Sequence, residues 1–92
     1  MFRVWMKVMK ENRLVKDIVI ENDDPEMSRT KKVYAALEEG CHAMDLSIPI
    51  WLDINIKDFK RHALTRFTKD SFIETIDFDH LEFRVIEEDS RY

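Results

Sequence analysis

Residues 2–9 read Phe-Arg-Val-Trp-Met-Lys-Val-Met, and apolar side chains fall on both faces of this stretch if it is extended. Successive side chains of a β-strand point to opposite sides, so the two faces can be read directly from alternate residues. The two sets are Phe2, Val4, Met6 and Val8 on one face and Arg3, Trp5, Lys7 and Met9 on the other. Because both faces are apolar, we predict that this strand occupies the centre of a sheet.

A second β-rich run follows at residues 14–21, after the four polar residues at positions 10–13. Two such runs joined by a short polar segment predict a β-hairpin. Alternation predicts that Leu14, Lys16, Ile18 and Ile20 share one face of the second strand. The connecting segment lacks the glycine that would mark a tight turn. The sequence therefore predicts that the two strands pair, but it defines their register less well.

A long helix is predicted next, beginning either in the acidic segment at residues 22–26 or at Ser28. Apolar residues then recur at helical spacing, which predicts one stripe packed on the sheet: Val33, Leu37, Cys41 and Met44. Gly40 lies beside this stripe and costs up to about 1 kcal/mol relative to alanine. We therefore expect a close approach of helix and sheet at Gly40. The helix is expected to end near residues 45–47.

The remaining segments predict a short second helix and a closing strand. Residues 48–52 are expected to be extended, and Asn55 is predicted to cap the helix that follows. Its core-facing residues are expected to be Ile56, Phe59, Ala63 and Phe67. Residues 65–75 give no clear pattern, whereas residues 79–88 alternate as a strand with Leu81, Phe83 and Val85 inward.

These elements define one α+β domain, residues 1–92. We predict a small antiparallel sheet, made of the N-terminal hairpin plus the C-terminal strand, covered on one face by one long and one short helix. The last strand is expected to pair beside the first.

Composition excludes several classes of protein. The single glycine, Gly40, cannot supply the glycine-rich loops of nucleotide-binding folds, and the single cysteine, Cys41, excludes internal disulfides and paired-cysteine zinc sites. Residues 1–7 lack the continuous apolar core of a signal peptide, and no stretch is long enough to cross a bilayer. A cytoplasmic protein without membrane contact is the simplest expectation.

Residues 57–69 carry five Lys/Arg and one Asp in a chain of net charge −4. We predict Lys57, Lys60, Arg61 and Arg66 as contacts for nucleic acid or another anion. The hairpin would extend that surface with its own cations, Arg3, Lys7, Lys10, Arg13 and Lys16. The aromatic residues Trp5, Phe59 and Phe67 lie among these charges and could stack on bases. Alternatively, these cations pair with the chain's own carboxylates, or the separated charges drive self-association.

No residue set predicts catalysis, a metal or a cofactor. His62 lies one helical turn from Asp58 but has no nucleophile near it in the sequence. Cys41 falls on the apolar helix stripe, and Asp77, Asp79 and His80 match no metal-binding spacing. Trp5 shares its strand face with Arg3 and Lys7, so we predict it either as a partly exposed contact for a protein partner or as a residue buried against a second layer.

Several segments carry a resemblance to one family: residues 29–33, 36–39, 45–47, 49–53, 59–62, 65–67 and 85–89. Over residues 2–89 the chain resembles a family of short uncharacterised proteins common in Firmicutes-type bacteria. The resemblance implies no activity, cofactor or catalytic residue.

The sequence therefore predicts a function only by class. The leading hypothesis is a small non-catalytic protein-interaction module that associates with itself or with another protein. The alternative is nucleic-acid binding through the basic hairpin and residues 57–69.

Overall fold

The computed structural model describes residues 1–89, and the last three residues of the predicted domain lie outside the described part of the chain. The elements are β1 (Phe2–Lys10), β2 (Arg13–Asn22), α1 (Arg29–Ala43), α2 (Asp53–His62), β3 (Leu64–Phe67), a 3-10 turn (Lys69–Ser71) and β4 (His80–Glu87). The α+β class is confirmed, with one sheet and two helices.

The sheet is antiparallel, and its strand order is β2-β1-β4-β3. β1 is central and β4 pairs beside it, as predicted. β3 was not predicted, because four residues give too short a run for alternation to be read. Its pairing with β4 places Thr65 opposite Phe83 and Phe67 opposite Leu81, all four on the face that the helices cover.

The β1–β2 hairpin has a two-residue turn formed by Glu11 and Asn12, with Lys10 paired to Arg13. Both turn residues have positive φ, 52° and 62°, which is the conformation of the tight hairpin turns that glycine and asparagine favour. The Asp79 carboxylate accepts a hydrogen bond of 2.8 Å from the Glu11 N–H. This bond stabilises a turn that has no glycine.

The pairing of β1 with β2 shifts by one residue between Val8 and Met9, because Val8 pairs with Lys16 and Met9 pairs with Leu14. Val15 is the additional residue of this bulge. Leu14 therefore lies on the outer face with Met9, and it is 49% exposed. The prediction that Leu14 shares a face with Ile18 and Ile20 is wrong, since alternation is broken at Val15.

α1 begins at Ser28, whose hydroxyl accepts a hydrogen bond from the Lys31 N–H. Its predicted stripe of Val33, Leu37, Cys41 and Met44 is buried. A Cβ atom at Gly40 would overlap the Met6 sulfur and lie 2.8 Å from its Cε. The close approach of helix and sheet expected at Gly40 is therefore confirmed, and Met6 on β1 is the residue that requires it.

α2 begins three residues earlier than predicted, with Leu52 rather than Asn55 at its N-cap. Asn55 is instead buried within the first turn, where its oxygen accepts hydrogen bonds from the Leu52 N–H and the Ser71 hydroxyl. Its amide group donates to the Thr65 hydroxyl and to the Arg66 carbonyl. Asn55 thus fixes the start of α2 to β3 and to the 3-10 turn.

The two helices cover different parts of the sheet. α1 packs on β1 and β2, whereas α2 packs on β3. Trp51 lies in the connection between them and packs against the core. α2 ends at Ala63, which has a left-handed conformation with φ of 54° and turns the chain directly into β3.

Gly40→Ala should destabilise the protein although alanine is the better helix former. Replacement gains about 1 kcal/mol of helix propensity, but crowding of the buried Met6 side chain costs about 1–3 kcal/mol. In the Met6→Ala background the same substitution should be neutral or stabilising. Urea unfolding of the four proteins of this cycle measures the coupling, and additive effects would contradict the proposed contact.

Asn55→Ala should lower the free energy of unfolding by about 2–4 kcal/mol, since it removes four hydrogen bonds and leaves buried groups unpaired. Thr65→Val removes one of those bonds and should cost less. Chemical denaturation of both variants tests this order, and an equal or larger loss for Thr65→Val would contradict the central role of Asn55.

Candidate interaction surface

The face of the sheet that the helices leave open carries charges that alternate in sign from strand to strand. One row across the four strands is formed by Asp17, Lys7, Glu82 and Arg66. Nearer the start of β1, beyond the row of Trp5, Arg3 lies 3.1 Å from Glu21 and 3.0 Å from Glu87. With Arg84, this face carries four basic side chains and four acidic ones. They are Arg3, Lys7, Arg66 and Arg84, and Asp17, Glu21, Glu82 and Glu87. The open face is therefore internally neutralised.

Glu82 is the centre of this network. Its side chain is only 7% exposed, and it contacts Lys7 at 2.9 Å, Arg84 at 3.3 Å and Arg66 at 3.4 Å. Burial disfavours its ionised form, but the hydrogen bonds and charges of Lys7 and Arg84 outweigh burial and lower the pKa of Glu82. The carboxylate thus holds three cations on one side of the sheet.

Trp5 belongs to the same open face and is half-buried. Its Nε1 donates a 2.8 Å hydrogen bond to Asp17, and the Lys7 ammonium lies 4.1 Å from its ring centroid. The ring is therefore held by its neighbours within the charge network. A role for Trp5 as a partner contact stays a prediction.

The four predicted anion contacts do not lie together. Lys57, Lys60 and Arg61 lie on α2, whereas Arg66 lies on β3 and faces the open side of the sheet with Glu82. They are separated because the chain turns at Ala63 from α2 into β3. Alternation along β3 then directs Arg66 to the open face of the sheet. Sequence reasoning missed it because residues 65–75 gave no strand pattern.

The outward face of α2 combines cations with exposed apolar side chains. Lys57, Lys60 and Arg61 are exposed, and within residues 1–89 none of them forms an ion pair. Ile54 on the same helix is 60% exposed. Only Asn55 and Phe59 of α2 are buried, so this ten-residue helix leaves most of its side chains to solvent. We call Ile54, Lys57, Lys60 and Arg61, which line one shallow depression together with Asp58, the α2 surface.

A groove of about 210 Å³ separates the N-terminal half of α1 from α2. Tyr34 and Val33 line its α1 side, Ile56 and Lys60 line its α2 side, and Trp51 and Phe59 complete its wall. Lys60 also borders the adjoining α2 surface. The groove and the α2 surface therefore form one continuous region.

Trp51 anchors this region to the core. Its ring lies edge-on to Phe67, Phe59 and Phe83, with centroid separations of 4.9, 5.4 and 5.9 Å. Its Nε1 is buried, and it is the one such side-chain nitrogen or oxygen in residues 1–89 without a hydrogen-bond partner. The sequence gave no sign of the groove beside Trp51.

The residues considered for catalysis do not come together. Cys41 is fully buried, and burial raises the pKa of its thiol to about 11, so it is protonated at neutral pH. His62 is exposed at the end of α2, and Asp79 holds the hairpin turn. Within residues 1–89, no group of three or more His, Cys, Asp or Glu side chains is arranged to bind a metal ion.

Comparisons with known protein families, with curated proteins and with solved structures find nothing that matches this chain. The resemblance to the Firmicutes-type family thus stays a prediction. None of the helices in the described part of the chain has the length and apolar character needed to cross a membrane.

Glu82→Gln should lower the free energy of unfolding at neutral pH by about 1–3 kcal/mol, because Lys7, Arg66 and Arg84 lose their shared anion. The folded protein has the lower pKa, so this contribution is present above the ordinary glutamate pKa of about 4.3. It is lost as the pH falls through the lowered pKa of Glu82.

Urea unfolding between about pH 7 and pH 3 measures this loss. The wild type should lose more stability on acidification than Glu82→Gln does. Glu26→Gln, at an exposed position, is the matched control and should keep the wild-type pH dependence. Parallel pH curves for the wild type and Glu82→Gln would contradict the assigned role.

Proposed function

We propose that this domain is a small, non-catalytic protein-interaction module that binds through the α2 surface and the adjoining groove. One observation supports this proposal above the others. Lys57, Lys60 and Arg61 are exposed without ion pairs in residues 1–89, next to exposed apolar side chains, in a chain of net charge −4. On the open face of the sheet, by contrast, Arg3, Lys7, Arg66 and Arg84 are already paired with carboxylates.

The α2 surface has the mixture of groups that protein interfaces use. Apolar and aromatic side chains supply most of the binding energy at their centres, and charged groups at the rim set partner choice and association rate. Here the groove provides the apolar centre, and three cations provide the rim. A ten-residue helix is about 15 Å long, so the contact is small and belongs to the transient class of interfaces.

Both sheet edges are less suited to binding. β2 has a bulge at Val15, and Lys16 on this strand points to the helix-covered face, where it donates a 2.7 Å hydrogen bond to the Met44 carbonyl. Bulges and inward-pointing charges protect edge strands from pairing with other chains. The opposite edge, β3, has only four residues. Self-association through an edge strand therefore receives little support, whereas association through separated charges remains part of the proposal.

Nucleic-acid binding is the second candidate, because Lys57 and Arg61 lie one helical turn apart and are unpaired in the described chain. Of the basic hairpin, Arg3 and Lys7 are held in ion pairs on the open face of the sheet, whereas Lys10 and Arg13 at its turn are exposed. A cytoplasmic bacterial protein completes the proposal, in keeping with its single, buried cysteine.

Selection from a random peptide library on the immobilised protein tests the proposal. The variant Lys57→Glu/Lys60→Glu/Arg61→Glu should reduce the affinity of selected peptides by about tenfold or more. The matched control Lys10→Glu/Arg13→Glu/Lys31→Glu changes the charge equally at exposed positions away from the α2 surface, and it should bind like the wild type. Equal binding by both variants would overturn the assignment of the surface.

The same proteins distinguish the second candidate. Binding to a single-stranded oligonucleotide at about 50 mM salt, with a steep loss at higher salt, would be expected of a nucleic-acid protein. If the α2 variant loses that binding and no peptides are selected, nucleic acid replaces protein as the ligand. If no oligonucleotide is retained at low salt, the nucleic-acid candidate fails.

A further inference from the structure

The loop at residues 72–79 has a composition complementary to the groove. Ile73 is 89% exposed, more than any other large apolar side chain in residues 1–89. Glu74 and Asp77 beside it are exposed and form no ion pair within the described residues. This loop therefore presents a bulky apolar side chain beside carboxylates without ion pairs in residues 1–89, whereas the groove presents an apolar wall next to the cations of the α2 surface.

We infer that the groove receives the 72–79 loop of a second copy of this chain. This inference rests on the proposed function and names its partner. Ile73 of one copy enters the groove beside Trp51 and Phe59 of the other. Glu74 and Asp77 meet the cations of the α2 surface.

The groove has room for such a side chain. An apolar cavity of about 150 Å³ can hold a benzene molecule, and this groove measures about 210 Å³. Ile56, 38% exposed, and Tyr34, 54% exposed, stand at its sides and would be covered by the incoming loop. Burial of Ile73 together with these two side chains supplies an apolar driving force.

Existing ion pairs decide which cations of the groove can contact an incoming carboxylate. Arg29 lines the groove, but its guanidinium forms two hydrogen bonds with Glu88, of 2.9 and 2.8 Å. Lys60 lines the groove and is unpaired in residues 1–89. Lys60 is therefore the central contact for an incoming carboxylate, and Lys57 and Arg61 extend the positive rim along α2.

Within its own chain the loop lies at a different place from the groove. Phe72, Glu74 and Asp77 lie beside residues 45–47, past the C-terminal end of α1. The groove borders α1 only from Arg29 to Tyr34. About ten helical residues, or roughly 15 Å, separate the two places along α1. A second copy is thus needed, and if each copy gives its loop to the other, the contact closes into a symmetric dimer.

Charge reversal provides a sharp test by light scattering at up to about 1 mM protein, where weak contacts are populated. Lys57→Glu/Lys60→Glu makes the groove side acidic, and Glu74→Lys/Asp77→Lys makes the loop basic. Each variant by itself should be monomeric, because its groove and loop then carry the same sign. A 1:1 mixture should associate, since each groove again meets a loop of opposite charge.

Two controls locate the contact. Ile73→Ser changes an exposed side chain and should weaken self-association by about tenfold or more without changing the unfolding midpoint. Lys10→Glu/Lys31→Glu, which alters the same number of exposed lysines elsewhere, should associate like the wild type. Association that persists in Ile73→Ser, or a mixture that stays monomeric, would overturn the inference.

The outcomes also separate this inference from the proposed function. A wild type that is monomeric up to about 1 mM while the α2 surface still binds selected peptides would exclude the second copy and leave the interaction module standing. If the peptides selected in that case are acidic and carry one bulky apolar residue, the occupant of the groove is another protein with a segment of this kind. Self-association that does not depend on the α2 surface would contradict this inference, and it would contradict the proposed function as well only if peptide binding were also independent of that surface.

Discussion

The edge-on packing of Trp51 against Phe59, Phe67 and Phe83 is the contact on which the arrangement of this domain depends. α1 lies over β1 and β2, and α2 lies against β3, so the layer above the sheet has a gap between the helices. Trp51 occupies that gap and connects both helices to the aromatic core. The Trp51 ring fills this gap only partly, and the space that is left between the two helices is the groove.

Sequence alone could predict the features that depend on local periodicity. The alternation of β1 and β4 and the stripe on α1 are regular enough to identify their buried faces. Gly40 could be interpreted because it interrupts that stripe. The features that could not be predicted depend on distant residues or on a broken pattern. Leu14 faces outward because of the bulge at Val15, and Asn55 is buried because its partners lie 10 to 16 positions later in the chain.

The candidate surface was predicted in part. Lys57, Lys60 and Arg61 were identified from the reversal of charge along the sequence, and the structure places all three on α2. Arg66 has the same chemistry but lies beside Glu82 on the other layer. Composition cannot distinguish a paired cation from an unpaired one, since pairing is decided by strand neighbours. The groove and the exposure of Ile73 were not predicted either, because both depend on how distant parts of the chain pack together.

The alternating charges on the open face of the sheet have a consequence for folding as well as for the native structure. If β4 slid by two residues along β1, apolar residues would still face the core, but Lys7 would meet Arg84 or His80 in place of Glu82. The same slip against β3 would set Arg66 opposite Arg84. Like charges directly opposite each other repel, so an alignment that sets Lys7 or Arg66 opposite Arg84 is disfavoured by electrostatics that the hydrophobic pattern cannot provide. The open face thus favours the native alignment over one that keeps the same hydrophobic pattern.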